Sequence, residues 1–143
     1  MKRIAAWRGN RLLLMAAAVL VGGVTGIGVD RIAFAQPSGI KRTILLRADD
    51  PAGAAYEAVV GVAEIAPGAS AGKHRHNGIE LGYVLEGSVI LERQGKPAAT
   101  ITAGQAFENE GGVHNARNPG KVPVKILAVY IVEKGKPLAE PVP

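Results

Sequence analysis

The chain has 143 residues, of which 48% are hydrophobic and 20% charged, so it suits one globular domain and is not a disordered chain. Its net charge of +5 lies mostly at the N-terminus, because from Gln36 onward 12 Lys+Arg face 11 Asp+Glu, which leaves +1. No basic stripe with interleaved aromatic residues remains, so we expect no nucleic-acid binding. Cysteine is absent, which excludes disulfides and thiolate ligands.

The first 35 residues have the pattern of a secretory signal peptide. Met1 to Arg11 is basic, Leu12 to Val29 is apolar, and Ala33-Phe34-Ala35 resembles a signal-peptidase site, which predicts cleavage after Ala35. An uncleaved anchor is the alternative, since the apolar stretch is near the length of a short spanning helix. Either way we expect an exported domain, periplasmic or extracellular, and it would contact the membrane only if this segment is uncleaved, through the segment itself.

The rest of the chain predicts an all-β domain. A linker over residues 36–41 precedes short apolar runs over residues 42–132, separated by turn residues such as Asn77-Gly78, Glu86-Gly87 and Asn118-Pro119-Gly120. Turns spaced by about 8–12 residues favour a sandwich or closed barrel, and no amphipathic helix is evident. The charged, Pro-rich tail over residues 133–143 is expected to lie along the surface or to fray. A domain of about 100 residues forms only a modest core. We therefore also expect a homodimer, which would bury more surface.

The histidines carry the clearest chemical signal. His74 and His76 are two apart, so on a strand both imidazoles project from the same face. Glu80 begins the next run after a turn, and His114 is the only other histidine. Three imidazoles and one carboxylate suit Fe, Mn, Ni, Co, Cu or Zn as a divalent ion, and spacing alone does not choose among them. Taken singly, a His-x-His pair is more typical of a solvated strand face, a lone His114 is more typical of a surface or hydrogen-bonded histidine, and Glu80 indicates nothing.

The spacing resembles the cupin superfamily. Gly68, His74, His76, Glu80 and Gly87 match every interval of its first motif, Gly-x5-His-x-His-x3-4-Glu-x6-Gly. Its second motif is matched by Gly104, Gly112, His114 and Asn118, but Glu110 replaces a proline and one residue is missing before His114. The resemblance implies a double-stranded β-helix, or jelly roll, with a metal inside the barrel held by His74, His76, Glu80 and His114. A degenerate, metal-free cupin is the alternative.

Other residues are candidates for shaping the site. Gly82 shares strand parity with Glu80 and is expected to open space beside the metal, and Phe107 is placed either at the mouth or in the core. Arg117 is a candidate for holding a substrate carboxylate, although parity from His114 places it on the opposite face. Asn118 is expected either to orient a ligand or to form the turn before Pro119.

The leading functional hypothesis is an exported metalloenzyme that acts on an oxygen-rich small molecule. By resemblance it would be a dioxygenase of the quercetin type or an isomerase, with Glu80 as the catalytic proton acceptor. The alternatives are a non-catalytic cupin that binds or senses a small ligand in the cell envelope, and a structural envelope protein with a vestigial site. Resemblance is a weak basis for choosing among them, because one fold carries many functions.

Overall fold

The computed structural model describes residues 39–49 and 55–143. This part of the chain consists of strands joined by turns, with no helix that could cross a membrane. The ten strands are β1 (Ile40–Asp49), β2 (Tyr56–Ile65), β3 (His74–Arg75), β4 (Gly78–Glu86), β5 (Ser88–Arg93), β6 (Ala99–Thr102), β7 (Ala106–Asn109), β8 (His114–Arg117), β9 (Val124–Glu133) and β10 (Glu140–Pro141). The expectation of an all-β domain is confirmed over these residues.

The strands form two five-stranded antiparallel sheets. One has the order β1-β2-β9-β4-β7 and the other the order β10-β3-β8-β5-β6. Apart from the pairs β1-β2 and β5-β6, strands that are neighbours in a sheet are not consecutive in sequence, because the chain passes between the two sheets from β2 to β5 and from β6 to β10. This is the wrapping of a double-stranded β-helix, in which the inner faces of the two sheets enclose one core.

Alternation of side chains along each strand builds that core. On β9, Val124, Ile126, Ala128, Tyr130 and Val132 are buried while the residues between them are less so. A period of two places alternate side chains on the inner face of a sheet, so apolar residues at this spacing line the barrel. The main core cluster contains Val124 and Ile126 of this strand together with Ile65, Val84 and Val89.

Two segments differ from the sequence-based boundaries. β1 begins at Ile40, which is buried, so residues 40 and 41 are strand and not linker. The C-terminal segment does not fray, since Glu140–Pro141 pairs with His74–Arg75 and adds an edge strand to the second sheet. Periodicity could not reveal this strand, because it is two residues long and contains a proline. The predicted signal or anchor segment and its cleavage site lie outside the described residues.

Candidate metal centre

The three histidines meet between the two sheets. His74 on β3 is directly opposite His114 on β8, and His76 follows β3 at the turn into β4. Their ring centroids are 4.3 Å apart for His74–His114, 5.0 Å for His74–His76 and 5.1 Å for His76–His114. One ligand atom from each lies within 4.8 Å of the others, and all three residues are buried. Residues separated by about 40 positions are thus joined into one cluster that can bind a metal.

Glu80 reaches this cluster from the other sheet. The turn before it requires Gly78, whose φ is +155° and whose hypothetical Cβ would lie 2.0 Å from the carbonyl oxygen of Ile131. This close approach lets β4 start immediately after His76, and strand parity then points Glu80 inward. Its Oε2 is 3.2 Å from His114 Nε2 and 3.4 Å from His76 Nε2.

The backbone fixes how each imidazole presents its nitrogens. Nδ1 of His74 lies 2.8 Å from the carbonyl oxygen of Gly72, Nδ1 of His114 lies 2.9 Å from that of Gly112, and Nδ1 of His76 lies 2.5 Å from that of Leu138. A carbonyl only accepts, so each Nδ1 must carry the proton. Each neutral ring then has its lone pair on Nε2, which is the tautomer that binds a metal.

Two of these lone pairs have no partner of their own. Nε2 of His76 and Nε2 of His114 are buried and make no hydrogen bond. Each instead faces the Glu80 carboxylate, an arrangement of acceptor against acceptor that is repulsive unless a second proton or a cation lies between them. Buried polar atoms without partners are rare and costly. A divalent cation would satisfy all of these atoms together, so the residues fit a metal.

The charge states of the site favour the same occupant. Burial lowers the pKa of His74 to about 4, so this ring is neutral at physiological pH. Burial opposes ionisation of Glu80, but the neighbouring His114 and His76 rings and the Asn109 amide hold its pKa well below the usual range. Asn109 Nδ2 donates to Glu80 Oε2 at 2.6 Å. The site therefore offers the neutral His74 ring beside a fixed negative charge on Glu80.

The C-terminal segment completes the shell around His76. Leu138 supplies the carbonyl that accepts the Nδ1 proton of this ring, and its side chain packs against the cluster of Val59, Ala128, Tyr130 and Val132. Val142 N donates to the carbonyl of Lys73 at 2.9 Å. A tail expected to be peripheral thus contacts a candidate ligand directly.

A small cavity opens beside the cluster. The volume accessible to the centres of water-sized molecules is about 30 Å³, which is room for roughly two waters at about 10–15 Å³ each. Its polar lining consists of Arg42, His74, Glu80, Asn109, His114 and Tyr130, and the rest of the wall is apolar. Arg42, Asn109 and Tyr130 were not predicted from the sequence. Parity with Ile40 and Ala128 was the only signal that pointed Arg42 and Tyr130 inward.

Only one of the three candidate substrate-binding residues lines the cavity. Phe107 lines the cavity. Gly82 does not open space beside the metal, because the ring of Phe107 fills it: a Cβ at Gly82 would lie 2.1 Å from Phe107 Cζ. Arg117 does not enter the cavity, since its exposed side chain lies 3.6 Å from Glu92. The opposite parity of Arg117 and His114 on β8 explains that position.

Asn118 forms the turn and does not contact the histidines. Its Nδ2 donates to the carbonyls of Ile65 and Val122, and its Oδ1 accepts from the backbone N–H of Gly120. These bonds fix the chain direction between β8 and β9. Of the two expected roles for Asn118, the structure shows the one in the turn.

Comparison with known proteins agrees with this architecture. Residues 61–130 match the family model "Cupin domain", whereas no curated protein sequence matches the chain significantly. A double-stranded β-helix protein from Klebsiella pneumoniae is 24% identical, with a TM-score of 0.58, over 77% of this chain and 90% of its own.

Two similar structures have named activities. The polyketide cyclase RemF from Streptomyces resistomycificus is 25% identical, with a TM-score of 0.57, over 75% of this chain and 73% of its own. An oxalate oxidase in complex with glycolate is 20% identical, with a TM-score of 0.57, over 76% of this chain and 63% of its own. Together with the domain match and the shared fold, these findings support the cupin superfamily for this chain.

Proposed function

We propose that the chain is an exported metal-dependent enzyme, of dioxygenase or isomerase type, that acts on a small oxygen-rich molecule. One observation carries the proposal: three buried histidines form one cluster, and the Nε2 atoms of two of them, His76 and His114, face the Glu80 carboxylate without a hydrogen-bond partner. His74, His76, His114 and Glu80 would hold the metal. A divalent metal bound there would supply Lewis-acid activation of a substrate oxygen or a site for O₂.

The residues around the ligands have definable roles in such a reaction. Glu80 is the candidate proton acceptor. The Asn109 amide donates to its Oε2, which leaves Oε1 without a bond from Asn109. Burial and the charge of Glu80 raise the pKa of Tyr130, so its hydroxyl stays protonated and can donate a hydrogen bond. The apolar wall excludes bulk water. Among dioxygenase and isomerase substrates, the small cavity volume favours compact molecules over flavonols.

Metal analysis and reconstitution test this proposal. The mature protein, purified without added metal or a histidine tag, is expected to hold about one transition-metal ion per chain. Metal-free protein would then be loaded with Fe, Mn, Ni, Co, Cu or Zn and offered 2-hydroxy acids, diketones, uronates and flavonols. Turnover that disappears in Glu80→Gln but persists in Arg117→Gln would support the assignment. Absence of turnover with every metal would contradict it.

A non-catalytic ligand-binding protein is the second candidate. The small cavity favours this function. So does the scarcity of proton-transfer groups: within residues 39–49 and 55–143, only Glu80 and Tyr130 line the cavity besides the candidate histidine ligands. Mass spectrometry of the natively purified protein separates the two functions. A stoichiometric ligand that is retained unchanged after long incubation indicates binding, whereas conversion of the ligand to a product indicates catalysis.

Export and dimerisation complete the proposal. The mature N-terminus is expected at Gln36, in the periplasm or outside the cell, and the mass of the secreted protein checks both the cleavage site and the anchor alternative. For the homodimer, support comes from the outer face of the first sheet, where Leu81, Tyr83, Leu85 and Ile131 are between 39% and 45% exposed. A monomeric mass in light scattering at micromolar concentration would contradict it.

A further inference from the structure

Of the four candidate metal ligands, His76 alone lies outside the strands, between β3 and β4. Its ring is fixed by the Leu138 carbonyl, which lies 2.5 Å from Nδ1. Leu138 begins the segment over residues 138–142, which contains β10 and is called the strap from here on. The position of one candidate ligand therefore depends on whether the strap stays in place.

The strap is short, and Glu140 makes three side-chain hydrogen bonds that hold it. Strand β10 pairs with β3 through two residues. Glu140 Oε2 accepts from Nε and Nη2 of Arg75 at 3.0 and 2.8 Å, and its Oε1 accepts from Asn77 Nδ2 at 2.7 Å. The backbone N–H of Val142 donates to the Lys73 carbonyl at 2.9 Å. A two-residue edge strand opens locally far more readily than the whole domain unfolds, so these bonds set how often the strap opens.

The candidate ligands are enclosed while the strap is closed. His74, His76, Glu80 and His114 are each between 3% and 8% exposed. The cavity beside them, of about 30 Å³, has room for roughly two waters. A hydrated divalent ion is larger than that space. Part of the wall must therefore move for a metal to enter or leave.

A larger cavity on the surface adjoins the strap. Its volume is about 360 Å³, and its lining includes Val142 and Lys73, the two residues that a backbone bond of the strap joins. His114 lines this outer cavity and also the inner cavity that contains Glu80. The two cavities thus meet at one candidate ligand, beside the short pairing that holds the strap.

We propose that the strap is the gate through which metal enters and leaves the site, and that the Glu140 carboxylate is the clasp that keeps it closed. When the bonds from Glu140 to Arg75 and Asn77 break, the strap lifts and the Leu138 carbonyl leaves His76. That ring then turns and joins the outer cavity to the inner one. Closure of the strap returns His76 to the cluster. This inference goes beyond the proposed reaction but rests on the proposed metal site.

The first test follows Co²⁺ binding and release by stopped-flow absorption on the mature chain. Because exchange passes through a minor open form, a larger open fraction raises both rates equally and leaves Kd almost unchanged. Glu140→Ala should raise both rates about 3- to 10-fold, as expected for an exposed ion pair lost together with a hydrogen bond. The matched control is Glu64→Ala, which removes an exposed cross-strand ion pair with Lys41 at 3.4 Å and should change neither rate. Faster release alone, with a higher Kd, would mean that Glu140 only positions His76 and would overturn the gate.

A cross-link makes the opposite change, on a chain that has no cysteine of its own. Arg75→Cys/Glu140→Cys joins residues that are directly opposite on β3 and β10, a spacing close to that of a disulfide. The oxidised variant should slow both rates at least about 10-fold, and reduction followed by capping with iodoacetamide should reverse this. Lys41→Cys/Glu64→Cys, opposite on β1 and β2, is the matched control and should not slow exchange when oxidised. Exchange that is as fast with the strap locked as without the cross-link would overturn the gate.

Reactivity of His76 separates failure of the gate from failure of the metal site. If metal binds but the locked strap does not slow its exchange, the gate is wrong and the metal site stands. If no metal binds, the proposed function fails, and modification of His76 by diethyl pyrocarbonate, located by mass spectrometry, tests the gate on the metal-free chain. The modification should be about 3- to 10-fold faster in Glu140→Ala and at least about 10-fold slower with the strap locked. Equal rates in the locked and unmodified chains would overturn the gate in that case too.

Discussion

Removal of the C-terminal segment is expected to weaken metal binding, although the segment contains no ligand. Truncation after Pro137 deletes the Leu138 carbonyl, which lies 2.5 Å from His76 Nδ1, and the Val142–Lys73 backbone bond at the other end of the same segment. The His76 ring then loses the contact that fixes its tautomer and orientation. Loss of such a partner of a metal-binding histidine typically lowers metal affinity by about 10- to 100-fold, or about 1.4–2.8 kcal/mol.

The assay is competition with a chromophoric chelator for Zn²⁺ and Co²⁺, with unfolding of the metal-free proteins measured in parallel. Leu138→Ala is the matched control, because it removes the side chain that packs on Val59, Ala128, Tyr130 and Val132 but keeps the carbonyl. It should lower the unfolding temperature while changing the metal Kd by less than about threefold. The Nδ1 partner of His74 lies outside the tail, since it is the carbonyl of Gly72, although the His74 backbone pairs with Pro141. Metal affinity equal to that of the full chain after truncation would refute the reasoning.

Three further outcomes follow from the site and its surroundings. The pKa of His74 is lowered from 6.5 to about 4, so the unfolded chain binds a proton at a higher pH than the folded chain does. The metal-free protein should therefore lose stability as pH falls from 6.5 to 4. Denaturant unfolding at several pH values checks this, and the free energy of unfolding of His74→Gln should depend less steeply on pH than that of the unmodified chain. Gly82→Ala should destabilise by about 1–3 kcal/mol, because its Cβ meets Phe107, and adding Phe107→Leu should recover part of that loss in the unfolding temperature; no loss in the single variant would contradict the packing. Asn109→Ala removes the donor to Glu80 at 2.6 Å and should weaken metal binding about 10-fold or more by the same chelator competition, whereas unchanged affinity would show that Glu80 needs no such support.

Much of the architecture could be predicted from local pattern. Apolar runs bounded by turn residues, such as Tyr56–Ile65 and Val124–Glu133, predicted strands, and the structure has strands there. Turn residues at Asn77-Gly78 placed the bend between His76 and Glu80. These features are local in the chain, so the sequence carries them without reference to the rest of the fold.

Three of the four candidate ligands could be predicted from the sequence for a related reason. His74 and His76 share a face through their spacing, and Glu80 follows at a motif interval. His114, in contrast, joined the set only through a shortened motif and as the last histidine. Its position opposite His74 is a matter of strand register between distant segments, which no local pattern specifies.

Apolar runs, turn residues and motif spacing act over a few residues, so they predicted most of the strands and the residue types able to bind a metal. Contacts that only the folded chain forms place the Leu138 carbonyl beside His76, the Phe107 ring in the space at Gly82, and Arg42 and Tyr130 in the cavity beside the candidate ligands. These contacts join β1, β4, β7, β9 and the tail. They depend on how two sheets close on each other, and that closure is a property of the whole core.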